Sequence, residues 1–98
     1  MMINRTNLIS SMTETVEKWE HDIQRLEEEI DEVEADVKEE YREKIEDLKE
    51  QKDALEDEID AIENVQDSSL ETVSDSFKVA KEAFKQSMKD IKNAFTKN

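Results

Sequence analysis

The chain has 98 residues, of which 35% are hydrophobic and 43% are charged, and its formal net charge is −14. This length limits it to one domain, and so small a hydrophobic fraction excludes a core of several layers. The negative charge excludes nucleic acid as an expected partner, because phosphates are bound by clustered Lys and Arg. Gly, Pro and Cys are absent, so the usual turn residues, disulfides and thiolate metal sites are also excluded.

The first 11 residues show no sustained hydrophobic period, and we expect a frayed N-terminus over 1–11. Their apolar side chains are scattered among polar ones and form no signal-peptide core, so we expect a cytoplasmic protein. Ser11 is the predicted N-cap of the first helix, with Glu14 at the capping-box position.

From Met12 to Ile62, apolar residues recur every three or four positions. This period predicts the apolar stripe of a helix that packs against another helix. We predict one helix over about 12–63, because no helix-breaking residue or capping signal interrupts the stripe. The N-terminal part of the stripe forms the predicted interface, namely Met12, Val16, Trp19, Ile23, Leu26, Ile30, Val33, Val37 and Tyr41.

The heptad spacing of this stripe changes once and is occupied once by a charge. Val33, Val37, Tyr41 and Ile45 follow one another at steps of four, a stutter that locally unwinds a left-handed supercoil. Lys52 is the charged occupant, and we expect its stem to lie on apolar surface while its ammonium reaches a carboxylate.

A second helix is predicted over about 69–95, after a turn at 64–67 and a capping-box spacing from Ser68 to Glu71. Because short connections join antiparallel neighbours, the predicted fold is an all-α helical hairpin or coiled coil, with 12–98 as one domain. Residues 1–67 hold 24 acidic and 8 basic residues, and residues 68–98 hold 4 and 6, so the two segments are electrostatically matched. The second stripe comprises Leu70, Val73, Phe77, Ala80, Phe84, Met88, Ile91 and Phe95.

The second helix covers only the later half of the first, which leaves the stripe over 12–37 without a partner. The chain can fold at 38–40 into a monomeric three-helix bundle. Alternatively, the long helix stays straight and two chains pair antiparallel, as the domain-swapped equivalent of that bundle. The missing helix breaker favours a homo-oligomer, with the antiparallel dimer preferred.

The run from Lys18 to Asp53 resembles a group of small bacterial coiled-coil-domain proteins of unknown function. The similarity lies in a W-x3-I-x2-L segment, a Tyr followed by x3-I-x2-L, and a closing helix that ends in "AF" and a Lys. Members usually carry a Gly near the second turn and a Trp in the last helix, where this chain has Ser68, Ser69 and phenylalanines. The resemblance implies a coiled-coil fold and no particular activity. The matching positions are Trp19, Ile23, Leu26, Tyr41, Ile45, Leu48, Ala94, Phe95 and Lys97.

No catalytic, cofactor or metal site is expected. His21, the single histidine, falls between the stripe positions and should be solvated. Lys18 stands where the Glu-x-x-His motif of di-metal bundles needs a carboxylate, and no calcium-loop pattern is present. Trp19 and Tyr41 are predicted core or interface anchors.

We therefore predict a non-enzymatic structural or protein-interaction coiled-coil module that self-associates and can dock a partner helix. An enzyme is not expected, because the sequence offers no set of nucleophile, base and orienting residue. The alternative is a peripheral binder of anionic membrane surfaces through amphipathic helix 69–95. Its basic residues are Lys78, Lys81, Lys85, Lys89 and Lys92.

Overall fold

The computed structural model describes residues 3–96, and the side chains of that range up to residue 93. Three helices account for nearly all of it: α1 is Arg5–Glu29, α2 is Ala35–Ile62 and α3 is Leu70–Thr96. Short 3-10 turns at Ile30–Glu32 and Asp67–Ser69 precede α2 and α3. No strand occurs in residues 3–96, so the predicted all-α class is confirmed.

The first helix begins at Arg5, earlier than predicted. Its N-cap is Asn4, whose side-chain oxygen accepts a hydrogen bond of 3.2 Å from the N–H of Asn7. Leu8 extends the apolar stripe by one turn before Met12 and is buried. The predicted N-cap at Ser11 is therefore wrong, since Ser11 lies inside α1. Both signals stand in the sequence, because Asn is a strong N-cap and Leu8 keeps the spacing of four.

The predicted continuous helix over 12–63 is also wrong, because the chain turns between Glu29 and Ala35. Val33 (φ −81°, ψ 140°) and Glu34 (φ −58°, ψ 145°) are extended, a conformation that needs neither Gly nor Pro. Charge favours an end here, because the last turn of α1 has no basic residue to oppose the negative end of the helix dipole. The turn is near neither end of the predicted bend at 38–40.

The second turn lies where the sequence predicts it, between Ile62 and Leu70. Arg5 holds it from α1. Its guanidinium donates to the carbonyl oxygen of Ile62, to that of Val65 at 2.7 Å and to Asp67 Oδ1 at 2.8 Å. A cation at this place satisfies the free carbonyls at the end of α2 and complements its dipole. The predicted capping box does not form, because Ser68 lies within the 3-10 turn and not at its N-cap.

One hydrophobic core runs along all three helices, within overall extents of 49 × 19 × 16 Å. Ion pairs from Glu27 to Lys49 and from Glu20 to Lys52 show that α1 and α2 are antiparallel. The rings of Trp19 in α1 and Phe84 in α3 are stacked, with centroids 4.1 Å apart. Among the described residues every buried side chain is hydrophobic: Leu8, Met12, Val16, Trp19, Ile23, Leu26, Tyr41, Ile45, Leu48, Leu55, Ile62, Leu70, Phe77, Phe84 and Ile91.

A polar contact joins α2 to α3 beside this core. Gln51 Nε2 donates to Ser87 Oγ at 3.2 Å, while Oε1 of the same amide is buried without a hydrogen-bond partner. An unpaired buried carbonyl costs about 1–3 kcal/mol. A shift in register between α2 and α3 would leave the amide nitrogen unpaired as well, so this contact disfavours other alignments.

Candidate interaction surface

The structure places the predicted interface inside the single chain. Six of its nine residues, all in α1 or α2, are buried in the core: Met12, Val16, Trp19, Ile23, Leu26 and Tyr41. The other three, Ile30, Val33 and Val37, are half-buried around the first turn. Because α1 packs on α2 and α3 of its own chain, this stripe is covered without a second copy. Of the second predicted stripe, the side chain of Phe95 lies outside the described residues, as does Lys97.

Tyr41 connects the core to the first turn. It is 2% exposed. Burial raises the pKa of its phenol, and the negative charge of Glu29 at the end of α1 raises it further. Both effects disfavour the phenolate. Tyr41 therefore acts as a neutral anchor where α2 passes the end of α1.

The lysines of α2 lean toward α1 and are occupied by carboxylates. Lys52 contacts Glu56 at 2.9 Å and Glu20 at 3.8 Å, and its side chain is only 19% exposed. The expectation that its ammonium reaches a carboxylate is confirmed. The hydrogen bond to Glu56 raises the pKa of Lys52, although partial burial acts in the opposite direction. Such partly exposed pairs each stabilise a fold by about 0–1 kcal/mol.

Lys49 makes the corresponding bridge one turn earlier. Its Nζ lies 3.0 Å from Glu27 Oε2 on α1 and 3.7 Å from Glu46 Oε1. The hydrogen bond to Glu27 is the largest cause of a raised pKa at Lys49. Two open grooves of about 270 and 380 Å³ follow the contact between α1 and α2 and share Glu27 and Lys49 in their linings. Their polar groups are thus already engaged with each other.

The consequence is an outer surface of α2 that is acidic throughout, which we call the acidic face. Between residues 43 and 60 every exposed side chain is a carboxylate except that of Ala54, while Lys44, Lys49 and Lys52 are half-buried. The face extends about 25 Å at 1.5 Å per residue. The acidic face consists of Glu43, Glu46, Asp47, Glu50, Asp53, Asp57 and Asp60.

The sequence carried a signal for this face that a charge count alone misses. Measured from Ile45, Leu48 and Leu55, the three lysines fall at or beside the core positions, and the acids fall opposite them. Two members are partly neutralised, since Glu46 contacts Lys49 and Asp53 contacts Lys52 at 3.4 Å.

The outer surface of α3 differs. Lys78, Lys85 and Lys89 are exposed, and no carboxylate of the described residues lies within ion-pair distance of them. Lys81 places its Nζ 4.7 Å from the ring centroid of Phe77, a cation–π contact. Val79, between these lysines, is 69% exposed. Basic charge is therefore concentrated on α3.

The remaining candidates stand apart from one another. His21 is exposed on α1. In the part of the chain that the structure describes, no group of three or more His, Asp or Glu residues is arranged to hold a metal ion. Over residues 3–96, no helix combines the length and the apolar character that crossing a bilayer requires.

Comparisons with family models, curated proteins and solved structures gave no match to this chain. The resemblance to bacterial coiled-coil-domain proteins therefore stays a prediction. The functional argument has to come from the surfaces described above, the acidic face of α2 and the lysines of α3.

Proposed function

We propose that this chain is a non-enzymatic protein-interaction module, a short coiled coil of antiparallel helices that binds a basic protein segment along the acidic face of α2. The observation that carries the proposal is the separation of charge between helices. Exposed charges between residues 43 and 60 are all acidic, whereas the exposed lysines lie on α3. A surface that serves only solubility mixes both signs.

The distribution suits recognition of an extended or helical basic partner. Carboxylates along one rigid helix produce a continuous negative potential, which speeds encounter with a positive segment and repels other acidic proteins. The described buried side chains are hydrophobic and fill the core, so the chemical diversity of the chain lies at its surface. That division between a packed interior and a charged exterior is typical of a scaffold.

Neutralising the acidic face tests the proposal. A variant with Asp47→Asn, Glu50→Gln and Asp57→Asn removes three exposed acids that make no ion pair in the structure. A matched control, Glu14→Gln, Glu17→Gln and Glu28→Gln, makes the same charge change on exposed positions of α1. Full chains of all three forms are used to capture proteins from an extract of the native cell.

We expect at least one captured protein to bind the wild type and the control equally and the acidic-face variant at least about tenfold less, a loss of about 1.4 kcal/mol. The same difference should recur with that protein purified and should shrink as salt is added. Equal capture by all three forms would contradict the proposal, and so would equal losses in both variants.

A second candidate function is binding to an anionic membrane surface through α3. The observation in its favour is the set of exposed, unpaired lysines, Lys78, Lys85 and Lys89, around the exposed Val79. Against it, Phe77 and Phe84 are buried, so α3 must leave the core before it can insert apolar side chains.

Co-sedimentation with vesicles of phosphatidylserine and phosphatidylcholine separates the two candidates. The control variant Lys18→Gln, Arg25→Gln and Arg42→Gln matches the charge change of Lys78→Gln, Lys85→Gln and Lys89→Gln. If α3 stays in the core, the wild type should not sediment with vesicles at physiological salt. Sedimentation that is lost only in the α3 variant would establish the membrane function instead.

A further inference from the structure

The first turn, between α1 and α2, is the least constrained feature of the fold. Only Val33 and Glu34 are known to leave the helical region, since Glu29 and Ile30 are helical and Ile30–Glu32 is a 3-10 turn. A 3-10 turn differs from an α-helix by small changes of dihedral angle. No described residue has a positive φ. Rotation of ψ at two residues therefore separates the turn from a continuous helix.

Few hydrogen bonds hold the turned conformation. No side chain caps the 3-10 turn or the start of α2. The backbone bonds of the turn run from Val33 N–H to Ile30 at 3.2 Å and from Val37 N–H to Glu34 at 3.1 Å. A straight helix would replace them with bonds from residue i to i−4. The sequence 27–40 has neither Gly nor Pro to oppose those bonds.

The apolar spacing also continues through the turn. Ile30, Val33 and Val37 keep the steps of three and four that connect Leu26 to Tyr41. In the turned chain these three side chains are only half-buried. In a straight helix they would form one stripe, and the same stripe of an antiparallel second copy could cover it.

Straightening one chain alone is strongly unfavourable, because it removes α1 from α2 and α3. Met12, Trp19 and Leu26 would lose their core contacts. A second straight copy restores every one of them, with Trp19 of one copy stacked on Phe84 of the other. The loss is then offset, and the Ile30–Val37 contact is added.

We propose that Val33 and Glu34 form a hinge through which two copies exchange α1, so that residues 5–62 become one helix in an antiparallel, domain-swapped dimer. The occupant of the exposed core is thus a second copy of this chain. The proposal is independent of the acidic face, since that face remains exposed in both forms.

Charge at the hinge opposes the exchange. Residues 27–36 contain seven acids and no base, and the swapped dimer brings two such segments together at its centre. Added salt screens this repulsion. The dimer should therefore gain on the monomer as salt rises, whereas a dimer held by surface ion pairs should weaken.

Substitutions at the hinge separate the two forms. Glu34→Pro suits the turned chain, because φ at Glu34 is −58° and ψ at Val33 is 140°. The bonds of the turn do not use the Glu34 N–H. Inside a straight helix the ring would clash with the carbonyl of Ile30, which lowers the dimerisation constant at least about 100-fold. Val33→Ala should raise it about threefold for each helix, because Ala favours helix over extended backbone.

The experiment is sedimentation equilibrium on full chains that have been warmed close to unfolding at high protein concentration and cooled. We expect a wild-type dimer that increases with salt, more dimer in Val33→Ala and only monomer in Glu34→Pro. Glu34→Gln serves as the control for the lost charge and should dimerise at least as well as the wild type. Circular dichroism confirms that each variant is folded.

A carbodiimide cross-link then identifies the exchange. It joins Lys49 Nζ to the Glu27 carboxylate, which are 3.0 Å apart, as an amide. When ¹⁴N- and ¹⁵N-labelled chains are warmed together, the swapped dimer gives this cross-link between a light and a heavy chain. Exclusively intrachain cross-links in the dimer, dimerisation of Glu34→Pro equal to that of wild type, or a wild type and Val33→Ala that stay monomeric would each overturn the proposal.

Discussion

The two turns of this molecule solve the same problem by different means. Both reverse the chain without Gly or Pro. The second, Glu63–Ser69, is tied to α1 by three hydrogen bonds from Arg5. The first, Ile30–Glu34, has no side-chain cap at either helix end. A chain without the usual turn residues thus fixes one turn through a distant side chain and the other only through the packing of the helices it connects.

The largest expected difference concerns the apolar residue that anchors each turn. Leu70 is 3% exposed, and Leu70→Ala should lower the free energy of unfolding by about 2–5 kcal/mol. Val33 is half-buried, and Val33→Ala should cost about 1 kcal/mol or less. Urea denaturation of both variants measures the difference. Equal losses would show that the two turns are equally fixed.

The next effect isolates the arginine. Arg5→Ala removes a charged donor from the carbonyls of Ile62 and Val65 and should destabilise the fold by about 1–3 kcal/mol. Arg42→Ala removes an exposed arginine near the first turn and should change stability by less than about 0.5 kcal/mol. Thermal unfolding compares them. A loss in Arg42→Ala as large as that in Arg5→Ala would mean that net charge, not the guanidinium contacts, explains the result.

A smaller effect of opposite sign is expected at the first turn. Glu34→Pro matches the backbone there and restricts the unfolded chain, so it should raise the free energy of unfolding by about 0.4–1 kcal/mol. The measurement is urea denaturation at a protein concentration where the wild type is monomeric. Destabilisation by several kcal/mol would mean that residues 33–34 are helical in solution.

The smallest effect is a dependence on alkaline pH. The raised pKa of Tyr41 means that its neutral form stabilises the fold, fully below the ordinary pKa of 10.0 and progressively less as pH rises through the folded value. Lys49 and Lys52, also with raised pKa, lose their stabilising charge in the range above 10.5. Stability should therefore fall above about pH 10, and less steeply in Tyr41→Phe. Identical slopes would show that Tyr41 does not contribute.

Much of the fold is readable from the spacing of apolar residues. Met12, Trp19 and Leu26 were expected on a packed stripe and are buried in the core. The second turn and the start of α3 lie where Asn64 and Leu70 predicted them. The first turn was missed, because Val33 and Glu34 adopt extended backbone that carries no sequence signature.

The surface was predictable in part. The heptad positions place Lys49 and Lys52 beside the core and the acids of α2 opposite it. What the sequence did not reveal is which carboxylate each lysine contacts, because Glu20 and Glu27 are close to α2 only after the first turn has formed. The role of Arg5 was equally hidden, since its acceptors lie about 60 residues further along the chain.

The stack of Trp19 on Phe84 gives this molecule a built-in optical probe. Trp19 is the single tryptophan, and it lies where α1 meets α3. Its emission and near-ultraviolet circular dichroism therefore report on the docking of α3, whereas far-ultraviolet dichroism reports on the helices themselves. If α3 undocks while it stays helical, the fluorescence shifts to the red before helicity falls. An exchange of α1 between copies, by contrast, passes through an exposed indole and ends with its original spectrum.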